Sequence, residues 1–189
     1  MSKLILITGP SGVGKGTIEK ELFKDDSLNL TFSISATTRE KRENEIEGKH
    51  YFFITKEEFE KLISENKFLE YSNHFGNYYG TLISEVESKL SQGKNVLVEV
   101  ETNGAVNIIN RLKETNKEDC LISIFIVPPS FEELRRRIIG RNSENIQDIE
   151  RRLERAKHEM EYQVYFQNVV KNDNINIAIE KIKSIIKNG

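Results

Sequence analysis

The sequence predicts an α/β fold, with a parallel β-sheet covered by helices on both faces. Short apolar runs rich in isoleucine and valine recur along the chain, and each is bounded by glycine, proline, asparagine or charged residues, as buried strands are. Segments with helical spacing separate these runs, and strands that alternate with helices indicate βαβ units. The stretch from Ser35 to Thr81 breaks this alternation, so we expect it to form a small strand-rich insertion.

The apolar runs are expected to form the strands of the core, and helices are expected between them. The predicted strands are Leu4–Ile7, Phe32–Ile34, Val96–Val100, Leu121–Val127 and Val169–Val170. The predicted helices are Lys15–Lys24, Lys56–Asn66, Leu82–Gln92, Gly104–Thr115, Phe131–Ile139, Glu144–Tyr162 and Ile175–Ile186. Two of these helices follow a Ser/Thr-x-x-Glu capping box, formed by Thr55 with Glu58 and by Ser130 with Glu133.

The insertion begins with a loop rich in arginine, lysine and glutamate. A short strand at Tyr51–Ile54 follows, and after the helix comes a second strand at Phe68–Tyr71 and a loop rich in glycine, asparagine and tyrosine. We therefore expect one core, made of residues 1–34 and 82–189, that is interrupted by residues 35–81.

The composition is typical of a folded protein in a reducing compartment. The 189 residues are 37% hydrophobic and 31% charged, which differs from the composition of a disordered chain. The 28 basic and 30 acidic residues give a net charge of −2, which argues against a nucleic-acid-binding protein. One cysteine, Cys120, excludes an internal disulfide, and no apolar run approaches the length of a membrane span. We expect a cytoplasmic protein without nucleic-acid or membrane partners; whether it forms a homo-oligomer is left open.

A phosphate-binding loop directly follows the first predicted strand. It consists of Gly9, Pro10, Ser11, Gly12, Val13, Gly14, Lys15, Gly16 and Thr17, which fit G-x-x-x-x-G-K and lead into a helix. Its glycines let successive backbone N–H groups surround phosphate oxygens, and Lys15 reaches the terminal phosphates. The strict pattern places Ser or Thr after the lysine to bind Mg²⁺, whereas here Gly16 stands there and the hydroxyl comes at Thr17. We therefore expect nucleotide phosphates and water to provide most of the ligands of the metal.

The segments beyond this loop resemble those of guanylate kinases. Ser33–Arg42 is similar to the family pattern S-x-S-x-T-T-R-x-x-R, and Gly48–Phe53 is similar to G-x-x-Y-x-F. Phe68–Glu70 resembles F-x-E, and Phe75–Thr81 contains G-N-Y-Y-G-[ST]. The later part of the family is matched by Pro128, Pro129, Ser130, Arg137, Gly140, Arg141, Arg152 and Leu153. The resemblance runs in order along essentially the whole chain.

This resemblance implies a phosphate-loop core, a GMP-binding insertion at residues 35–81 and an arginine-rich helical lid at about residues 135–152. It implies that ATP binds to the phosphate loop together with Arg137, Arg141 and Asn172. The implied GMP-binding residues are Ser35, Arg39, Arg42, Tyr51, Glu70, Tyr79, Thr81, Glu99, Glu101 and Arg152. The implied catalytic residues are Lys15, Arg39, Arg137 and Arg141, and Mg²⁺ accompanies ATP, with Thr17 and, through water, Glu101 as its protein contacts.

The chemistry of these side chains agrees with the implied roles. Arg39 and Arg42 lie three residues apart, and guanidinium groups bind phosphate through paired hydrogen bonds. Guanine presents two N–H donors that a carboxylate such as Glu70 or Glu99 can accept, whereas adenine presents an acceptor at N1. Glu99 and Glu101 alternate along a predicted strand and share a face at its carboxyl end, where ligands of α/β sheets bind. The family usually has aspartate at both positions, and we expect the longer side chains to affect rate more than function.

The sequence thus predicts an enzyme that phosphorylates GMP, and also dGMP, with ATP. Two alternatives remain. Gly16 and Thr17 resemble the loop of adenylate kinases, which allows an AMP-type nucleoside monophosphate kinase. Guanylate-kinase-like domains of scaffolding proteins have lost catalysis and bind phosphopeptides, but they usually have an eroded phosphate loop, whereas Lys15 is present here.

Overall fold

The structure, a computed structural model, describes residues 1–140 and 146–189. The strands in these residues are β1 (Leu4–Thr8), β2 (Leu30–Phe32), β3 (Ala36–Thr37), β4 (Phe52–Phe53), β5 (Phe68–His74), β6 (Asn77–Leu82), β7 (Asn95–Val98), β8 (Leu121–Val127) and β9 (Asn168–Lys171). The α-helices are α1 (Lys15–Leu22), α2 (Lys56–Ser64), α3 (Ile83–Ser91), α4 (Thr102–Glu114), α5 (Phe131–Ile139), α6 (Ile146–Glu161) and α7 (Ile175–Asn188). The α/β class predicted from the sequence is confirmed.

The main sheet has the strand order β2-β7-β1-β8-β9, and its strands are parallel. In the central strand β1, Leu4 lies opposite Val96 on one side and opposite Leu121 on the other. All five β1 side chains are buried, because helices cover both faces of a parallel sheet. α1 and α7 pack on one face, and α3 and α4 pack on the other. This arrangement brings the phosphate loop and the residues after β7 to the same edge of the sheet.

A second, smaller sheet is built from the segment between β2 and α3. Its strand order is β4-β3-β6-β5, and β5 and β6 form an antiparallel hairpin in which Phe75 and Gly76 are the turn. The sheet has its own apolar cluster, in which the rings of Phe59 and Phe68 stack with centroids 4.3 Å apart. Because these side chains pack among themselves, the second sheet has a core separate from that of the main sheet.

α5 and α6 form a further small cluster beyond β8. Leu134 and Ile138 of α5 pack with Ala156 of α6, and all three side chains are buried. This contact holds α6 beside the phosphate loop. No helix in the described ranges is long and apolar enough to cross a membrane.

Several predicted elements differ from those in the structure. The glycine-, asparagine- and tyrosine-rich loop predicted after Tyr71 is wrong, because β5 continues to His74 and the loop residues form β6, which pairs with both β5 and β3. β7 ends at Val98 instead of Val100, and β2 ends at Phe32, where the sequence predicts a strand beginning. The remaining predicted helices and strands differ at their ends by a few residues, where capping and register decide. The predicted start of the helix Glu144–Tyr162 lies outside the described residues.

The two predicted capping boxes have different outcomes. Thr55 accepts a hydrogen bond from the Glu58 backbone N–H, and the Glu58 carboxylate accepts one from the Thr55 N–H, so the first box is confirmed. Ser130 caps α5 by accepting from the Glu133 N–H, but the Glu133 carboxylate pairs instead with arginines of the same helix. The second box is therefore only half formed.

Candidate active site

The phosphate loop leaves β1 at its carboxyl end and enters α1 at Lys15. Lys15 Nζ donates to the backbone carbonyl oxygens of Gly9 and Pro10, so the ammonium group lies against the start of the loop. Gly9 adopts φ 150°, and a Cβ atom at this residue would lie 2.3 Å from the carbonyl oxygen of Ile126 in β8. The close approach of the loop to β8 therefore requires glycine at this position.

A cavity of about 540 Å³ lies beside the loop and is here called the phosphate-loop cavity. The charged residues among its described lining are Lys15, Arg152, Arg155, Glu19, Glu99, Glu101 and Glu159. Three basic side chains thus face four acidic ones. A polyphosphate ligand entering this cavity would need either a cation of its own or a change of partners among these groups.

Glu19 is a buried carboxylic acid in the phosphate-loop cavity that sequence reasoning missed. It lies one helical turn after Lys15 in α1 and is only 7% exposed. Burial and the neighbouring Glu99 carboxylate raise the pKa of Glu19 to about 7, although Lys15 acts in the opposite direction. The Glu19 carboxyl therefore titrates near neutral pH. The four-residue spacing that places Glu19 on the same helix face as Lys15 is the sequence feature that could have identified Glu19.

Glu99 and Glu101 lie after β7, so their predicted placement on one strand face is wrong. Glu101 has extended backbone and precedes the first residue of α4. Both side chains nevertheless line the phosphate-loop cavity, and both also line a second cavity described below. The structure therefore brings the two carboxylates together through the segment between β7 and α4.

Side chains of α6 reach the phosphate loop and α4. The guanidinium of Arg155 contacts Glu101 Oε1 at 2.9 Å and Glu159 Oε1 at 3.0 Å. The other oxygen of Glu159 accepts the Ser11 backbone N–H at 3.2 Å, and Arg152 donates to Ser11 Oγ at 2.9 Å. Sequence reasoning found Arg152 but missed Arg155 and Glu159, because an arginine-rich helix gives no indication of which arginines face inward.

The second cavity has a volume of about 610 Å³ and is here called the hairpin cavity. The second sheet contributes Ser35, Tyr51, Glu70 and Tyr79 to its wall, together with Phe75 at the hairpin turn. The residues that line both cavities are Glu99, Val100, Glu101 and Arg155. Two cavities, one beside the phosphate loop and one beside the second sheet, therefore share a wall.

Glu70 is the buried acidic group of the hairpin cavity. Its side chain is 9% exposed, and the Thr81 hydroxyl donates to its Oε1 at 3.0 Å. Burial raises the pKa of Glu70, and the hydrogen bonds from Thr81 oppose this effect. Gly104 at the start of α4 leaves room for the carboxylate, since a Cβ there would lie 3.0 Å from Glu70 Oε2. A carboxylate held in this way can accept hydrogen bonds from a ligand in the cavity.

Arg39 lies beside the tyrosines of the second sheet. Its guanidinium forms two hydrogen bonds to the Glu45 carboxylate, at 2.9 and 2.7 Å, and lies 5.5 Å from the Tyr51 ring centroid. The Tyr51 and Tyr79 rings are 6.1 Å apart, so the structure brings Arg39 and both tyrosines together. Arg42 is exposed, and its described hydrogen bond to Glu45 is made by the backbone N–H. Its side chain does not line the hairpin cavity.

A third cavity, of about 520 Å³, lies on the other side of the loop and is lined in part by Gly12, Gly14, Arg137 and Asn172. The Asn172 side chain is buried and donates to the Val13 carbonyl oxygen at 2.8 Å, which ties the end of β9 to the phosphate loop. Arg137 Nε donates to Glu133 at 2.9 Å. Arg141, the other lid arginine predicted to contact ATP, lies outside the described residues, as does the predicted break at residues 142–145.

Of the two residues predicted to contact the metal, only Glu101 lines the phosphate-loop cavity. Thr17 is exposed, and it is Gly16 that lines the phosphate-loop cavity. Glu101 lines that cavity but pairs with Arg155. Among residues 1–140 and 146–189, no three His, Cys, Asp or Glu side chains are placed to hold a metal ion together.

Comparisons with known proteins agree with this arrangement. The family model "Guanylate kinase" matches residues 1–189. The chain is 49% identical to a guanylate kinase of Mycoplasma mobile over 185 residues, which are 98% of this chain and 92% of that protein. It is 49% identical to a guanylate kinase of Mycoplasmopsis pulmonis over 183 residues, 97% of this chain and 93% of that protein. The crystal structure of guanylate kinase from Anaplasma phagocytophilum is similar with a TM-score of 0.69 and 30% identity, over 99% of this chain and 85% of that one. With a phosphate loop, a second sheet carrying a buried glutamate and a family match over its full length, the chain belongs to the guanylate kinase family.

Proposed function

We propose that the chain transfers the γ-phosphoryl group of ATP to GMP or dGMP, with ATP in the phosphate-loop cavity and the acceptor in the hairpin cavity. The observation that carries this proposal is the wall of Glu99, Val100, Glu101 and Arg155, which the two cavities share. Ligands bound in both cavities would meet at this wall. An oxygen of the GMP phosphate would attack the γ-phosphorus, and the bond from that phosphorus to ADP would break.

The guanine base is assigned to Glu70. This buried carboxylate can accept the N1–H and amino N–H of guanine, and the Thr81 hydroxyl fixes its orientation at 3.0 Å. Adenine would place an acceptor against it, and a mispaired buried polar group of this kind can separate substrates by roughly 10⁴-fold. Ser35 and Glu99, which line the same cavity, supply further polar groups for the base.

The phosphate of the acceptor is assigned to Arg39, Arg42, Tyr51 and Tyr79. In the structure Arg39 is held by Glu45, so phosphate binding would exchange a carboxylate for a phosphate without loss of paired hydrogen bonds. The second sheet carries these residues and packs around its own core, which supports residues 35–81 as a unit that closes over the acceptor. Closure would exclude water, a competing acceptor of the phosphoryl group.

On the ATP side, Lys15 and Arg137 are assigned to the phosphates, and Asn172 to the adenine side of the loop. Lys15 would move its ammonium from the carbonyl oxygens of Gly9 and Pro10 to the phosphates, where it neutralises charge that develops during transfer. Arg141 and Arg152 complete the proposed lid, with Arg152 also near the acceptor phosphate. Arg152 already contacts Ser11 at the tip of the loop.

Mg²⁺ is the proposed metal, and the donor set of the cavity suits it. Carboxylate oxygens from Glu99 and Glu101 are hard ligands, and the acidic excess of the lining favours a phosphate that arrives with a cation. Glu101, through water, and Thr17 are the residues that would hold it. When bound, the ion neutralises charge on the phosphates.

A steady-state assay of ADP release with GMP, dGMP, AMP and UMP tests the proposed function. We expect kcat/KM for GMP to exceed that for AMP by several orders of magnitude, because adenine would face Glu70 with an acceptor. Turnover with AMP above that with GMP would favour an AMP-type kinase. Binding of GMP without turnover of any acceptor would favour a non-catalytic binding module.

A further inference from the structure

Arg155 lies where the two cavities meet. It belongs to α6, three residues after Arg152, and its side chain is 58% exposed. Arg155 lines both the phosphate-loop cavity and the hairpin cavity, and it is the basic residue common to their described linings. A group transferred from one cavity to the other must pass this point.

The contacts of Arg155 are of a kind that a phosphate can replace. Its guanidinium contacts Glu101 Oε1 at 2.9 Å and Glu159 Oε1 at 3.0 Å, so it presents N–H donors on two sides. The Glu101 side chain is itself 51% exposed, and ion pairs between exposed side chains are weak because water screens them. Glu159 is different, since its side chain is 15% exposed and its second oxygen accepts the Ser11 N–H. Glu159 can therefore keep the guanidinium in place while the contact to Glu101 is given up.

The charge balance of the phosphate-loop cavity makes each of its cations important for the transfer. Its described lining holds three basic and four acidic side chains, whereas phosphoryl transfer depends on positive charge around the transferring group. Lys15 lies at the start of the loop, and Arg152 contacts the loop tip. Arg155 lines both cavities and pairs with Glu101 at the shared wall.

We propose that Arg155 is a further catalytic residue, which exchanges the Glu101 carboxylate for oxygens of the phosphoryl group during its transfer. Glu159 acts as the positioning residue that holds the guanidinium and links it to Ser11 of the phosphate loop. This inference rests on the proposed function, because it places the transferring group at the wall between the two cavities.

Single-turnover rates of Arg155→Met, Arg155→Lys and a control, Lys157→Met, test the inference. Lys157 is an exposed cation on the same helix, lies beyond the proposed lid and lines neither cavity. We expect Arg155→Met to lose at least tenfold in the rate of transfer, with KM for GMP and ATP within about threefold of the unchanged protein. Arg155→Lys should recover part of the rate, since it keeps the charge but not the paired donors. Lys157→Met should match the unchanged protein.

A transfer rate of Arg155→Met within twofold of the unchanged protein would overturn the inference. A loss confined to thermal stability or to KM would also overturn it, because such a loss indicates that Arg155 only stabilises the structure or the bound substrates. If Arg155→Met does not fold, Arg155→Lys decides: a rate at least threefold lower supports the inference, and an unchanged rate overturns it. Failure of the unchanged protein to phosphorylate GMP would instead refute the proposed function itself.

Discussion

Replacement of Glu19 by glutamine should make the protein more stable at pH 8 and remove a pH dependence of its stability. Glu19 is 7% exposed and faces the Glu99 carboxylate, so its ionised form is disfavoured in the folded state. Glutamine has almost the same shape, carries no charge, and can donate its amide N–H to Glu99. The substitution therefore removes the buried charge while keeping a hydrogen bond.

The magnitude follows from the pKa of Glu19, which is about 7 in the folded protein against 4.5 for an unperturbed glutamate. The folded state holds the proton more tightly, so its contribution to stability is complete below pH 4.5 and is lost as pH rises through 7. At about 1.4 kcal/mol per pH unit, this interval of 2.5 units corresponds to at most roughly 3.5 kcal/mol of unfolding free energy. For a chain of this size, that is a difference in Tm of at most about 7–14 °C between the variant and the unchanged protein at pH 8.

Urea unfolding at pH 5 and pH 8, followed by circular dichroism because the chain has no tryptophan, would measure this effect. Nucleotide is left out and a chelator is added, so that no ligand stabilises either form. The matched control is Glu21→Gln on the same helix, since the Lys24 side chain lowers the pKa of Glu21 and moves its titration below the range tested. Parallel stability curves for Glu19→Gln and the unchanged protein between pH 5 and pH 8 would refute the reasoning.

Three further substitutions probe other parts of the molecule. Lys15→Met should reduce kcat by at least 10²-fold with little change in Tm, because it removes the cation of the phosphate loop; near-normal turnover would exclude Lys15 from the mechanism. Glu70→Gln should raise KM for GMP about tenfold or more, because one hydrogen bond to a charged group is lost. It should not lower Tm, because burial already disfavours the ionised form of Glu70. An unchanged KM would count against the guanine contact. Phe75→Asn should raise Tm by about 2–4 °C. Phe75 has φ 50° and its side chain is fully exposed, and asparagine tolerates this left-handed conformation better than phenylalanine does. A lower Tm in a thermal melt would contradict the assignment of strain to this turn.

The elements that the sequence predicted well are those whose own residues indicate the structure they form. β1 contains the apolar run Leu4–Ile7 and ends at Thr8, directly before the glycine of the phosphate loop, and the helix α2 has a capping box whose two hydrogen bonds are both formed. β6 has no such signal, because asparagine and glycine around Tyr78 and Tyr79 are typical of turns. It becomes a strand because it pairs with β5 on one side and with β3 on the other. The residues of β6 alone indicate neither pairing.

The same reason explains why Arg155 was missed, whereas Arg152 was identified only through the family resemblance. Arg151, Arg152 and Arg155 lie within one and a half turns of α6, and composition does not distinguish them. The packing of Ala156 against α5 fixes the rotation of the helix, and this rotation directs Arg152 to the phosphate loop and Arg155 to Glu101. Arg151 instead pairs with Asp148 of the same helix. The chemical role of an arginine in this helix is therefore decided by an apolar contact elsewhere. A substitution that rotates α6, such as a bulky residue at Ala156, should disturb Arg152 and Arg155 together, whereas Arg151 should keep its contact within the helix.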